Sequence, residues 1–208
     1  MLLDFEKLSP RDAYGWMTNA ITPRPIAWVS TISADGRPNL APFSFFQGVC
    51  SNPPSLLIVP TNNRDGAKKD TLRNIEAVPE FVVNVVPFAL AEAMNATAAG
   101  LPHGESEFDH AGLAPAPASK VRPPRVAASP VALECALDRI VVVGSGVGAG
   151  NIVIGRVLAM HVDEAVLGAD GRLDPLKLDL IGRLGGDLYT RTREVFEIVR
   201  PLGGGGMR

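Results

Sequence analysis

Residues 22–46 read TPRPIAWVSTISADGRPNLAPFSFF, and the fold turns on how this stretch is parsed. Pro23 and Pro25 each fix their own φ and push the preceding residue toward extended geometry, so Arg24 is expected in a stiff, extended segment. Residues 26–32, IAWVSTI, are apolar and β-branched; Ala34-Asp35-Gly36-Arg37 supplies a turn; residues 38–46 resume as a second extended run. This pattern predicts a β-hairpin, the clearest in the chain.

Upstream, Ser9-Pro10-Arg11-Asp12 opens a helix with a Ser cap, Pro at the first helical position and an acid in the first turn. That helix is expected to run to about residue 19. Downstream, Pro53-Pro54 separates the hairpin from a buried-type strand, SLLIVP. A helix is expected from Asp70 and must stop before Pro79. EFVVNVV, residues 80–86, reads as a strand, and residues 88–99, rich in Ala, Leu, Glu and Met, as a helix ended by Gly100. Residues 101–130 are dominated by Pro, Ala and Gly, too long for a passive loop. ALECALDRIVVVGSG and NIVIGRVLAMHVDEAVL then read as two long strands around a glycine-rich connection, with a turn at Asp170-Gly171. About six strands with two or three short helices, and few alternating βαβ units, predict a mainly β (α+β) antiparallel barrel with short peripheral helices rather than a doubly wound sheet. Residues 1–201 are expected to form one domain, with 202–208 as a flexible tail.

The 208 residues carry 20 Lys plus Arg against 22 Asp plus Glu, a formal net charge of -2 with neither sign in blocks. No global field would attract nucleic acid or an anionic membrane, so both are excluded as expected partners. MLLDFEKLSPRDAY lacks the basic start and apolar run of an export signal, and no apolar stretch approaches about 20 residues. A cytoplasmic protein is expected, with Cys50 and Cys135 as buried thiols rather than a disulfide or a metal pair.

Several chemistries are tempting and fail on spacing. Gly144-Ser145-Gly146-Val147-Gly148-Ala149-Gly150 follows a strand, but the sixth position from Gly144 is Ala149 and from Gly146 is Asn151, so the dinucleotide fingerprint does not register. A glycine-rich β-connection is expected instead. No G-x-x-x-x-G-K-[ST] or G-x-S-x-G sequence occurs. His103, Glu105, Glu107, Asp109 and His110 crowd together without HExxH spacing, and the same alternation suits an exposed polar loop. No metal is expected, although a metal-assisted hydrolase built on this cluster stands as a rival reading.

A different constellation is stronger: Arg24, Ser30 and Thr31, the run Asn39-Leu40-Ala41-Pro42-Phe43-Ser44-Phe45-Phe46, and Lys68-Lys69-Asp70-Thr71. Lys69 and Thr71 lie at a predicted helix start, where unpaired N–H groups and the helix dipole favour an anion. With PRPIAWVST, NLAPFSFF and KDTLRNI in this order, and PHGESEFDHAGL, SPVALECAL, IVIGRVLAMHV and RLGGDLYTRT following, nearly the whole chain resembles the flavin reductase-like family of FMN-binding split barrels.

The resemblance implies a Greek-key split barrel that forms homodimers, with non-covalent FMN near the subunit interface. By position it implies that Arg24, Ser30, Thr31, Ala41, Pro42, Phe43, Ser44, Lys69, Asp70 and Thr71 surround the flavin, with Arg183 and Tyr189 approaching from the C-terminal segment. It also implies hydride transfer from NAD(P)H through FMN to free flavin or a small acceptor, and a monooxygenase as a possible partner. It names no acid–base catalytic residue. The alternative it leaves open is a flavin-binding electron-transfer module served by another protein. The acceptor and the choice between NADH and NADPH are not legible.

Overall fold

The structure, a computed structural model, describes residues 1–102, 105–199 and 201. In chain order its principal elements are α1 (Pro10–Ala20), β1 (Ala27–Ile32), β2 (Pro38–Phe43), β3 (Phe46–Ser51), β4 (Pro54–Ile58), α2 (Asp70–Ala77) and β5 (Glu80–Asn84). Then come α3 (Ala91–Ala96), α4 (Glu107–His110), the short β6 (Pro115–Ala116) and β7 (Arg125–Val126), the long β8 (Val131–Val143) and β9 (Gly150–Val162), α5 (Pro175–Leu178), β10 (Ile181–Arg183) and β11 (Tyr189–Arg191).

Seven strands form one antiparallel sheet in the order β2-β1-β5-β8-β9-β4-β3. The two edge strands, β2 and β3, are consecutive in sequence, joined only by Ser44 and Phe45, yet stand at opposite ends of that order. The sheet therefore curls round on itself and leaves its seam at this junction, which makes it a mainly β, split-barrel architecture with short helices outside. The expected extended run over 38–46 is broken here, because the chain changes from one sheet edge to the other.

Two cores flank the sheet. Ala27, Val29, Phe43, Ile58, Phe81 and Val153 point into the curl, which Leu72 and Ile75 of α2 help close. Trp28 and Leu40 lie on the outer face, where they cluster with Val86 and are covered by Met94 of α3, Phe108 of α4 and Ile181 of β10. Successive strand residues alternate faces, so a strand buried on both sides reads as a mostly apolar run without alternation, and IAWVSTI is one, its two buried hydroxyls, Ser30 and Thr31, being hydrogen-bonded.

Edge strand β2 is closed to further pairing by its own sequence. The Leu40 N–H donates to Glu107 Oε2 at 2.9 Å, so the amides of positions 38, 40 and 42 face away from β1. Pro38 and Pro42 have no N–H to offer, and Leu40 is capped by the carboxylate.

Several expectations change. The 88–99 helix is shorter, a 3-10 turn at Phe88–Leu90 followed by α3. Within the 101–130 stretch, residues 119–126 are fastened to the sheet: Ser30 Oγ donates to the Pro124 carbonyl, the Val126 N–H to Asn84 Oδ1 at 2.8 Å, and the Ser119 N–H to Glu134 Oε1 at 2.7 Å. Cys50 is exposed on β3, while Cys135 is buried and its thiol is pushed up to about 12 by desolvation. The glycine-rich 144–150 stretch joins β8 to β9 as expected, with Gly144, Gly146 and Gly148 at positive φ. The expected flexible tail, 202–208, lies outside the described residues.

Candidate functional site

A cleft of about 250 Å³ opens beside the seam, between the edge of β2, the start of α2, the end of α3 and Glu107. Asn39, Ala41, Pro42 and Phe43 form its β2 wall, and Lys69, Asp70 and Thr71 enter from the helix. Through Pro42, Phe43 and Lys69 it adjoins a second depression of about 220 Å³ that adds Tyr14, Ser44 and Phe45. Seven of the sequence-derived site residues thus converge, although β2 and α2 are separated by more than 25 positions.

The helix start carries the electrostatics. Lys69 is the N-cap of α2, in extended geometry and with no side-chain hydrogen bond to the first turn. The first N–H groups of the helix therefore retain donor capacity toward an anion. Lys69 Nζ donates to Asn63 Oδ1 at 3.2 Å and Asn39 Nδ2 to Thr71 Oγ1 at 3.2 Å, which ties β2 to the helix across the cleft. Asp70 pairs with Arg73 at 3.0 Å. Glu107 adds a half-buried carboxyl, raised above the usual carboxylate range by desolvation and, more weakly, by the Asp70 charge, against the Leu40 N–H that lowers it.

Other expected residues stand apart from the cleft wall. Ser30 and Thr31 are fully buried and, as strand neighbours, face opposite sides of the sheet. Ser30 holds Pro124, and Thr31 Oγ1 accepts from Asn74 Nδ2 at 3.0 Å. Arg24 is buried and already uses four N–H groups: Nη1 donates to the Thr18 and Ile21 carbonyls, Nη2 to Leu184 O at 2.8 Å, and Nε to Ser44 Oγ at 3.3 Å. Of its five donors at most one is left, so Arg24 reaches the site through Ser44. Arg183 lies over Tyr189, 4.4 Å from the ring centroid, and donates to its hydroxyl, forming a pair on the β10–β11 hairpin. Neither lines the cleft.

Asn63, Glu107 and the 97–101 wall were not in the sequence-derived set. Asn39 was in its motif, and its value lies in the bond to Thr71. The polar run at 103–110 is split in the fold: Glu107 turns to β2, Glu105, Asp109 and His110 line a separate depression, and His103 lies outside the described residues. Ser119, His161 and Glu134 do meet, but both the serine and the carboxylate contact His161 Nε2, the serine at 3.4 Å. A proton relay needs the two ring nitrogens separately, so this cluster is no hydrolytic triad.

Residues 18–177 match the family described as flavin reductase like domain. The chain is similar to the crystal structure of nitrilotriacetate monooxygenase component B from Bacillus cereus, at 34% identity and a TM-score of 0.90, covering 95% of this chain and 98% of that one. It is similar to Pseudomonas fluorescens 2-nitrobenzoate 2-nitroreductase, at 29% identity and a TM-score of 0.85, covering 99% and 100%. A Shewanella frigidimarina structure described as having a split barrel domain shares the fold at 22% identity and a TM-score of 0.82, covering 97% and 100%.

Proposed function

The chain belongs to the flavin reductase like domain family, and from that premise we propose that it is an FMN-dependent oxidoreductase that uses NAD(P)H to reduce free flavin or a small acceptor. The observation that carries the reading is the convergence of the β2 edge with the uncapped start of α2 in one cleft. The donor set fits a flavin mononucleotide: Lys69, Thr71 and the first amides of α2 suit a phosphate, and Ala41, Pro42 and Phe43 bring apolar side chains to the facing wall. When bound, FMN supplies the ring that takes up and passes on hydride.

The residues of the chain then have distinct tasks. Lys69 and Thr71 bind, with Asp70 holding Arg73 beside them. Asn39 fixes the Thr71 hydroxyl, and Arg24 fixes Ser44 while anchoring the hairpin that bears Arg183 and Tyr189. Ser30 and Thr31 act from behind the wall, by holding the 124 loop and α2 in place. The proposal keeps the expectations of one domain over residues 1–201, a cytoplasmic homodimer with the flavin near the interface, and a monooxygenase as a partner. The component B likeness supports the partner, and the nitroreductase likeness supports a small nitro-aromatic as one acceptor class.

The test is turnover. Purified protein supplied with FMN should oxidise NADH or NADPH when free flavin or a nitro-aromatic acid is present. Flavin uptake without nicotinamide oxidation on any acceptor would replace the reductase reading with that of an electron-transfer module.

A further inference from the structure

In the second depression, of about 220 Å³, Tyr14, Phe45, Val59 and Thr61 have no task in holding FMN. Tyr14 of α1 stands near Phe45, with ring centroids 6.1 Å apart and planes inclined by 55°. The separation falls within the range of about 4.5–7 Å at which aromatic rings attract, and the inclination makes the pair an open corner rather than a closed stack. Tyr14 is 56% exposed, so its ring keeps surface for a further partner. Pro42 and Val59 continue the apolar lining, Ser44 and Thr61 bring hydroxyls, and Lys69 stands where the depression meets the cleft. Arg24 sets this corner. Its Nη1 donates to the Thr18 and Ile21 carbonyls at the C-terminal end of α1, and its Nε to Ser44 Oγ at 3.3 Å. One buried guanidinium thus fixes both the helix that carries Tyr14 and the serine that lines the same depression. Accepting from Arg24 uses a lone pair of Ser44 Oγ and leaves its O–H to donate.

The lining selects a ligand class. Sites for drug-sized ligands occupy about 300–1,000 Å³, so a depression of about 220 Å³ suits one ring rather than the three of a free flavin. Aromatic side chains favour a planar ring, and hydroxyl donors favour oxygen substituents on it. We propose that the Tyr14–Phe45 corner is the acceptor subsite, that it takes a single-ring aromatic bearing nitro or carboxylate oxygens, and that Tyr14 and Thr61 set this preference. The proposal rests on the flavin reading of the adjoining cleft and narrows the acceptor from free flavin to a small aromatic.

The test is a binding titration. Oxidised, FMN-loaded protein is titrated with 2-nitrobenzoate and with cyclohexanecarboxylate, which has the charge without the aromatic ring, and binding is read from the change in the flavin absorption band. No electron donor is present, so no turnover intervenes. Wild type is expected to prefer 2-nitrobenzoate. Tyr14→Ala is expected to lose about three- to tenfold in affinity for 2-nitrobenzoate but not for cyclohexanecarboxylate, and Tyr14→Phe, which keeps the ring, to restore most of the preference. Thr61→Val, which keeps the shape and removes the hydroxyl, is expected to lose about threefold or more for 2-nitrobenzoate. Neither residue lines the FMN cleft, so FMN affinity is expected to stay at the wild-type value and doubles as proof of folding. Unchanged affinity for 2-nitrobenzoate in either Tyr14→Ala or Thr61→Val overturns the proposal, as does an equal loss for the two carboxylates in Tyr14→Ala. A wild type that takes up no FMN overturns the flavin reading and this inference with it, whereas normal FMN uptake with no preference for 2-nitrobenzoate overturns this inference alone.

Discussion

Lys69 and Thr71 meet at the start of α2 with different chemistry: one brings a charge, the other a hydroxyl already aimed by Asn39. If they hold a phosphate, replacing both with Ala should weaken FMN far more than riboflavin, which has no phosphate. Each charge-assisted bond is worth roughly 1.5–3 kcal/mol, so the expected loss for FMN is tenfold or more. Equal losses for the two flavins, measured by fluorescence titration, would reduce the pair to scaffolding. That Lys69 and Thr71 stand together at a helix start beside β2 was legible from the KDTLRNI motif and its order after NLAPFSFF. Ser30 and Thr31 were misjudged as a pair, since adjacent strand residues face opposite sides and cannot share one cradle. That rule was available from the sequence. Glu107 was not, because nothing in a polar loop marks which carboxylate will turn inward to the lone free amide of an edge strand.

At the level of elements, the turns and strand pairs explain what the residues cannot. The hairpin of residues 26–43 was readable from Asp35-Gly36 and its flanking β-branched runs, and Gly36 adopts φ 88° as such a turn requires. The break at Ser44 was hidden, because changing sheet edges needs no Gly or Pro at the break itself and a single Ser between phenylalanines reads as a continuing strand. The β10–β11 hairpin depends on Asp179, which accepts from Arg191 Nε at 2.7 Å and Arg193 Nε at 3.0 Å. Arg191 first and Arg193 second hold this carboxyl well below its usual range. A lowered carboxylate pKa stabilises the fold above the unfolded value, about 4, and that support is lost as the pH falls through the lower native value. Asp179→Asn, which tolerates the same left-handed backbone, should therefore lower the melting temperature at pH 6. The gap to wild type should narrow below about pH 4, and a gap independent of pH would contradict the ion-pair explanation. On β9, a Cβ at Gly155 would stand 2.3 Å from the Phe81 ring inside the curl. Gly155→Ala should cost about 1–3 kcal/mol, a drop of about 5 °C in melting temperature by calorimetry. An unchanged melting temperature would mean that the β5–β9 packing is looser than described.

For the whole molecule, near-neutral charge and frequent Gly and Pro now have a physical place. The prolines of β2 blunt one edge of a curled sheet, and the cleft lies where that edge stops short of its counterpart. With a net charge of -2 there is no long-range pull on a phosphate, so binding must come from donors gathered at one helix start, beside the carboxyls of Asp70 and Glu107. The antiparallel class was legible from alternation and turn spacing, but the expected six or so strands fall short of the seven in the main sheet and the four short ones beside it among the described residues. The convergence of β2, α2 and α4 on one cleft was not, since it depends on how far the sheet curls. The central claim, that this cleft holds a flavin reducible by nicotinamide, is tested most directly by anaerobic spectrophotometry of the purified protein with FMN. The predicted result is a bound-flavin absorption band that bleaches in proportion to added NADH or NADPH; a bound flavin that stays oxidised with both donors would contradict it.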